Sequence, residues 1–299
     1  MGQYSKKAFS HEQMLSKLEN QGLCIPDKSE AIHYLKSIGY FRLSAYFLPF
    51  INKDSANKVF KEGVELKDIE QLYAFDKELR LLVVDAIESI EVTLRASLND
   101  YMSFEYGPHW YLEAKHFNNL KIYQKFLEDL EELCRKPKEV FLIHYYANYT
   151  APKLPPSWMV TELISFGTCA NLFKNLHSLQ DRKEICKLFK QHPTIMSSWF
   201  TSLNYVRNLC AHHARLWNRW FVISPMQAQT NKTKVKPKTF AEQAYIIDTI
   251  LKAFGPDKSK AWKLKLYNLF LRYPKLPVES MGFKHNWKHE PFWSELTKK

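Results

Sequence analysis

Glycine is scarce in this chain, with only 8 residues among 299. An average protein contains roughly 7% glycine, so this chain falls well short of the usual amount. Rossmann sheets, P-loops and β-meanders all place glycine in their turns, and the shortage therefore disfavours each of these folds. The composition predicts an all-α protein.

Cysteine is also sparse, and the five residues are scattered without a CxxC pair. This pattern is typical of a reducing compartment and argues against a disulfide framework or a zinc ribbon. The N-terminal sequence MGQYSKKAFSHEQML has no apolar run of the kind that forms a signal peptide. No stretch approaches the roughly 18 apolar residues that a membrane span needs. We therefore expect a soluble, cytoplasmic protein with no membrane partner.

Most catalytic signatures are absent as well. The chain has no Walker loop, no GxGxxG, no GxSxG and no HExxH motif. Cys210, His212 and His213 could offer soft ligands to a metal ion, but no second cluster lies at metal-site spacing. We therefore expect neither a metal nor another cofactor.

The chain does have an excess of positive charge and many aromatic side chains. Its 43 Lys and Arg residues against 31 Asp and Glu give a net charge of +12, and 15% of the residues are aromatic. A hydrophobic share of 45% excludes a wholly disordered chain. The surplus charge points to a polyanionic partner, with nucleic acid ahead of a membrane surface. The alternative is a basic protein without any such ligand.

Apolar residues recur at steps of three and four along most of the chain, as in amphipathic helices. The strongest pattern covers residues 66–103 and predicts one helix on the order of 50 Å long. Within it, Glu88, Glu91 and Arg95 have the spacing of intrahelical ion pairs. Shorter helices are predicted at 118–134, 139–148, 158–176, 181–191, 194–218, 241–254 and 259–272.

These patterns divide the chain into four predicted parts. They are an N-terminal helical and aromatic segment (1–63), a helical core (64–225), a basic loop (226–240) and a C-terminal helical segment (241–299). In the first part, an aromatic cluster at 40–47 surrounds Arg42. Core packing is the favoured interpretation of this cluster, and a base-stacking platform beside a phosphate contact is the alternative.

The basic loop is the most polar stretch of the chain. Four lysines alternate along it: Lys232, Lys234, Lys236 and Lys238. Such a run is either an arm that grips phosphates or a solvated linker. These lysines, Arg42 and Arg215 are candidate RNA contacts, although each could equally be an ion-pair partner or solvated surface.

The predicted helix at 194–218 carries a compact polar face. On a helical wheel, an apolar arc contains Leu203, Val206, Cys210, Ala214 and Trp217. The polar face surrounds the small Ala211 and contains Asn204, Arg207, Asn208, His212 and Arg215. Asn208 and His212 lie one turn apart. His213 lies at the edge of the apolar arc, where a buried structural histidine is expected.

This polar face suits phosphodiester cleavage in RNA. The ribose 2′-hydroxyl is a built-in nucleophile, so a protein need supply only proton transfer and charge stabilisation. His212 can take or give a proton near neutral pH, and the guanidinium fork of Arg207 matches phosphate oxygens. Asn208 could orient the imidazole or hold a phosphate oxygen. No metal is needed for this chemistry.

The segment from Arg207 to His212 resembles the R-polar-x3-H motif of HEPN ribonucleases. The wider chain resembles the Abi-like abortive-infection proteins, the AbiD/AbiF group of bacterial phage-defence factors. Blocks that carry this resemblance lie at 39–46, 73–80, 90–95, 156–162, 165–168, 206–217 and 281–293.

The resemblance implies an all-helical core of HEPN type that forms a homodimer, so that two Arg/His motifs face each other. It also implies a metal-independent endoribonuclease that leaves 2′,3′-cyclic phosphates and arrests growth on phage infection, in an arrangement of toxin–antitoxin type held in check by a structured RNA. By the match of the motif, Arg207 and His212 take the catalytic role and Asn208 the supporting one.

Two other functions compete with this prediction. The same face could grip a structured RNA without cutting it. The chain could also be a regulatory dimer whose basic surface is incidental, in which case its RNA affinity would show no salt dependence.

Overall fold

The computed structural model describes residues 3, 7–52, 58–228 and 235–297, and it confirms an all-α protein. Over these residues β pairing is limited to three isolated bridges. The α-helices are α1 His11–Asn20, α2 Lys28–Ile38, α3 Tyr40–Ser44, α4 Leu66–Tyr106, α5 Leu120–Arg135, α6 Val140–Asn148, α7 Ser157–Leu163, α8 Phe166–Asn175, α9 Leu179–Ile185, α10 Pro193–Ala211, α11 Phe240–Phe254, α12 Pro256–Arg272 and α13 Ser294–Thr297.

The chain forms two compact units, and the first comprises Met1–Leu79 and Leu269–Leu276. In this unit α1 begins with a capping box, in which the Ser10 hydroxyl accepts from the Gln13 N–H and the Gln13 side chain accepts from the Ser10 N–H. α1 then packs against α2.

The predicted four-part division of the chain stays a prediction.

The aromatic cluster at 40–47 lies in the first unit and is divided between core and surface. Tyr46 and Phe47 are buried, and the Tyr46 hydroxyl donates to the Asp76 carboxylate at 2.7 Å. Phe41 is 92% exposed, and its neighbour Arg42 is exposed as well. Core packing therefore explains most of the cluster, including the Tyr40 ring that contacts Phe47, but not Phe41 and Arg42.

The second unit comprises Arg80–Asn268 and Pro277–Lys299. The predicted long helix is confirmed as α4, and it ends before Gly107, whose φ is +88°. The part of α4 in this unit buries an apolar stripe made of Val83, Ile87, Ile90, Leu94, Leu98 and Met102.

α10 packs against α8, α9 and α11 in the second unit. Its Phe200 is fully buried and meets three aromatic rings edge to face, with centroid distances of 5.2–6.2 Å. These rings belong to Phe166, Phe173 and Phe189. Aromatic side chains bury large apolar areas, so this cluster anchors α10 and thereby positions its C-terminal end.

Most predicted helices agree with the structure to within three residues at each end, and three do not. The helix predicted at 158–176 is split into α7 and α8, because the Ser165 hydroxyl caps α8 by accepting from the Thr168 N–H at 3.1 Å. The helix predicted at 181–191 is α9 followed by a 3-10 turn, Lys187–Phe189. The helix predicted at 194–218 is α10, and it ends at Ala211.

Candidate functional site

α10 ends in a tight backbone turn. The His213 N–H donates to the Cys210 carbonyl at 2.9 Å, and the Ala214 N–H donates to the Leu209 carbonyl at 2.8 Å. This pair of bonds is the Schellman motif, in which the residue after the helix takes the left-handed conformation. His213 takes that conformation, with a φ of +55°. The chain therefore leaves the helical path at His213, and the predicted wheel does not apply to residues 214–217.

Up to that turn, the buried side of α10 is the predicted one. Leu203, Val206 and Cys210 are at most 5% exposed. Trp217 is also fully buried, but it lies in the segment beyond the helix. The prediction of a buried histidine at 213 is wrong: His213 is exposed, because the reversed backbone takes its side chain away from the apolar arc.

The Arg207 guanidinium contacts two neighbouring side chains. Its Nη1 donates to the Asn208 Oδ1 at 3.3 Å, and its Nε lies 3.9 Å from the Glu91 Oε2. Glu91 belongs to α4 and pairs with Arg95 one turn further on, which confirms that part of the predicted ion pairing. The Arg207 side chain is 38% exposed. One side of the Arg207 guanidinium is therefore open to a ligand, and on the other side the Glu91 carboxylate partly neutralises its positive charge.

An open cleft of about 610 Å³ lies beside Arg207. It is bordered by α4 and α7, which are joined by a hydrogen bond from Arg95 to the Thr161 carbonyl. Four carboxylates and two guanidinium groups give the lining a formal net charge of −2. These groups belong to Glu88, Glu91, Asp100, Glu162, Arg95 and Arg207.

Sequence reasoning missed this cleft. Helical spacing relates residues within one helix but does not show which other helix faces them. Trp158 and Glu162, which α7 contributes to the cleft, therefore had no predicted role. A signal was nevertheless present in the sequence, because three of the blocks that carry the family resemblance meet at this cleft: 90–95, 156–162 and 206–217.

His212 lies at the exposed end of α10 as its C-cap residue. Its N–H donates to the Asn208 carbonyl at 3.0 Å, so His212 keeps the predicted one-turn spacing from Asn208. Asn208 therefore bonds to both partners, through its side chain to Arg207 and through its main chain to His212. Arg207 and His212 are about 140° apart around the helix, and Asn208 lies between them.

The predicted RNA contacts occupy different surroundings. Arg42 belongs to the first unit, whereas Arg215, Lys236 and Lys238 belong to the second. An Nη of Arg215 donates to the Asn218 carbonyl at 3.5 Å. The Lys238 ammonium lies 5.4 Å from the centre of the Trp220 ring, and Lys236 is exposed. Lys232 and Lys234 lie outside the described residues.

The described residues contain neither a group of metal ligands nor a helix that could span a membrane. Within them, no group of three or more His, Cys, Asp or Glu side chains is placed to hold a metal ion. None of the helices in the described residues is long and apolar enough to cross a membrane.

The chain is similar to one known family. The family model described as Abi-like protein matches residues 33–218, which is more than half of the chain. This range includes α10, the cleft and the Arg207–His212 motif. No curated protein and no solved structure gives a significant match. The chain therefore belongs to the family of Abi-like proteins, which suggests a part in abortive-infection defence against phage.

Proposed function

We propose that this protein is a metal-independent endoribonuclease of an abortive-infection system, with Arg207, Asn208 and His212 as its catalytic group. One observation carries the proposal: Arg207, Asn208 and His212 lie together at the C-terminal end of α10, where the Asn208 side chain accepts a hydrogen bond from the Arg207 guanidinium. A guanidinium, an amide and an imidazole therefore share one helix end, and the guanidinium borders an open cleft. Membership of the Abi-like family supports the role in phage defence.

In the proposed reaction the ribose 2′-oxygen attacks the adjacent phosphorus. The His212 imidazole accepts the proton of the 2′-hydroxyl as the new P–O bond forms. The bond from phosphorus to the 5′-oxygen breaks, and this oxygen leaves with a proton. The products are a 2′,3′-cyclic phosphate and a 5′-hydroxyl. Arg207 stabilises the charge that develops on the phosphate oxygens, and Asn208 holds the guanidinium in place.

A second copy of the chain would complete the proposed site. Cleavage needs both a base for the 2′-hydroxyl and an acid for the 5′-oxygen, and one imidazole cannot serve as both in one step. In a twofold homodimer the second His212 supplies the acid, as the resemblance to HEPN ribonucleases implies. The partners of the protein would then be RNA, either a substrate or a structured antitoxin RNA, and another copy of itself.

The charge of the cleft restricts where the RNA can bind. A phosphate inside the cleft would face a lining with a net charge of −2, and like charges repel strongly where water is partly excluded. We therefore place the scissile phosphate at the exposed side of Arg207, towards Asn208 and His212. The cleft itself is better suited to a cationic side chain than to the RNA backbone.

RNA binding without cleavage is the second candidate function. It is favoured by the Glu91 carboxylate, which lies 3.9 Å from the Arg207 Nε. A guanidinium whose positive charge is partly neutralised by a carboxylate can still bind a phosphate. It stabilises the extra negative charge of a transition state less well. The two functions therefore differ in turnover and not in affinity.

The test is cleavage of single-stranded RNA in EDTA by the wild type, Arg207→Ala and His212→Ala, with analysis of the product ends. His33→Ala is the matched control, because His33 is an exposed helical histidine in the other unit. We expect cyclic phosphate ends from the wild type and the control, and none from the two site variants, all with measurable RNA binding. Equal cleavage by His212→Ala would remove His212 from the mechanism. Binding without cleavage by every protein would favour the second candidate.

A further inference from the structure

A second pocket of the second unit, about 400 Å³ in volume, lies along the N-terminal half of α10. Lys174 of α8 and Arg182 of α9 line it, together with Ile223 and Met226 from the segment that follows α10. α10 contributes a run of hydroxyl side chains at helical spacing: Thr194, Ser197, Ser198 and Thr201.

The lining of this pocket is cationic. Lys174 and Arg182 give it a formal charge of +2, and its described lining residues include no carboxylate. The two carboxylates of α9 have other partners. Asp181 accepts from the hydroxyls of two tyrosines at 3.1–3.2 Å, and Glu184 pairs with Lys187. The pocket therefore has the opposite charge to the cleft beside Arg207.

Two buried donors of the lining lack a hydrogen-bond partner among the residues that the structure describes. They are the Ser197 hydroxyl and the Arg182 Nε. Ser197 is only 9% exposed, so water does not readily compensate its hydroxyl. Native proteins rarely leave buried donors unpaired, because each one destabilises the fold. Both residues line this pocket, so an acceptor from outside the chain would give these donors a partner.

The wall of the pocket opposite α10 is held in place by hydrogen bonds. The Met226 N–H donates to the Ser198 hydroxyl oxygen at 2.8 Å, and the Trp199 indole N–H donates to the Met226 carbonyl at 2.8 Å. Ser198 therefore accepts from the backbone and keeps its own O–H as a donor. A pocket built in this way is preorganised, so binding costs little conformational entropy.

A polar stripe connects this pocket to the proposed catalytic group. Along α10, residues at alternating steps of four and three share one side of the helix and are exposed or half-buried: Thr194, Ser198, Thr201, Tyr205, Asn208 and His212. From Thr194 to His212 the stripe is about 27 Å long at 1.5 Å per residue. Its length matches a strand of several nucleotides.

We propose that this pocket binds a backbone phosphate of the RNA, several nucleotides away from the bond that is cut. The inference rests on the proposed ribonuclease function, because the strand that would lie between the pocket and His212 is the RNA substrate of that reaction. Arg182 and Lys174 supply the positive charge, and the hydroxyls of Ser197 and Ser198 supply neutral donors. Thr194 lies in the first turn of α10, where the helix dipole favours an anion. A free phosphate has the same chemistry, so the test separates the two sources.

The test compares Lys174→Gln/Arg182→Gln with Lys121→Gln/Arg135→Gln. The control removes the same two side-chain types from exposed positions on α5. Binding of single-stranded RNA is titrated at several salt concentrations in a His212→Ala background, which prevents cleavage. We expect the pocket variant to bind about tenfold more weakly. We also expect the negative slope of log affinity against log salt concentration to become shallower by about 0.7, the value for the loss of one phosphate contact with a single strand. The control should change affinity far less.

Ser197→Ala separates ligand binding from a structural role. If the hydroxyl serves a ligand, this variant binds RNA about threefold more weakly while its Tm is unchanged or raised, because an unpaired buried hydroxyl has been removed. A lowered Tm with unchanged RNA affinity would contradict the proposal. This variant also gives the answer if the double variant fails to fold.

The remaining outcomes are distinguishable from failure of the proposed function. Equal RNA affinity and equal salt slope for the pocket and control variants would overturn the phosphate site, even if the wild type cuts RNA. If inorganic phosphate raises the Tm of the wild type and not of the pocket variant, while RNA affinity is unaffected, the pocket binds a free anion and the RNA assignment is wrong. Absence of cleavage by the wild type would instead count against the ribonuclease.

Discussion

Replacing Glu91 with Gln is expected to change RNA affinity and stability in opposite directions. Glu91 pairs with Arg95 and also lies 3.9 Å from the Arg207 Nε. Its charge therefore opposes any phosphate that approaches Arg207, while the same charge holds Arg95 in place. Gln keeps the shape of the side chain and one accepting oxygen but removes the charge.

The size of both effects follows from burial. Two unit charges 3.9 Å apart interact by about 4 kcal/mol at an effective dielectric constant of about 20. Arg207 is 38% exposed, and solvent reduces pairs of this kind to about 0.2–1 kcal/mol. RNA affinity should therefore rise by about 1.4- to fivefold. Glu91 and Arg95 are each only 14% exposed, so loss of that pair should lower the free energy of unfolding by about 1–3 kcal/mol.

RNA titration in the His212→Ala background measures the first effect, and urea unfolding of the same protein measures the second. Glu162→Gln is the matched control, because it removes a carboxylate from the same cleft without breaking the Glu91–Arg95 pair. It should raise RNA affinity slightly and leave stability unchanged. If Glu91→Gln folds normally and binds RNA no more tightly than its parent, Glu91 does not balance Arg207 and the reasoning is wrong.

Three other predictions concern stability, each measured by urea unfolding. His213→Gly should stabilise the protein by about 1 kcal/mol, because the φ of +55° suits glycine, and a loss of stability would contradict this. Gly282→Ala should destabilise it by about 2–4 kcal/mol, because φ is +95° and the new Cβ would lie 2.6 Å from the Thr239 Cβ; a change below about 1 kcal/mol would refute that clash. A hydrogen bond from Lys252 is the main cause that lowers the pKa of Glu295 to about 2. The ionised Glu295 carboxylate therefore stabilises the folded protein above about pH 4.5, and this stabilisation is lost as the pH falls towards 2. Glu295→Gln should flatten the dependence of the free energy of unfolding on pH in that range.

The end of α10 shows why a helix boundary was mispredicted. No Gly or Pro interrupts residues 203–217, and the apolar spacing continues through Ala214 and Trp217. Trp217 is buried for a different reason, since it packs into the core from the segment after the helix. The Schellman turn usually has glycine in the left-handed position, and here it has His213. The local signal for the end of this helix was therefore missing from the sequence.

Local patterns in the sequence determined the all-α class, the course of α4, the buried arc of α10 and the Glu91–Arg95 pair. All of these depend on contacts within one helix or on which side of it is apolar, and a spacing of three or four residues is enough to show them. The Arg207–His212 motif also needed only one helix. For that reason it could be singled out before its surroundings were known.

Tertiary structure alone decided where charge is concentrated. The chain has a net charge of +12, yet the cleft beside Arg207 has a lining of −2 and the pocket along α10 a lining of +2. The cleft is lined by α4, α7 and α10, which are far apart in sequence, and the pocket by the consecutive helices α8, α9 and α10; in both, the charges combine only when the helices pack. Total composition predicts attraction to a polyanion, but the positions of the proposed phosphate sites along α10 depend on which helices pack beside it.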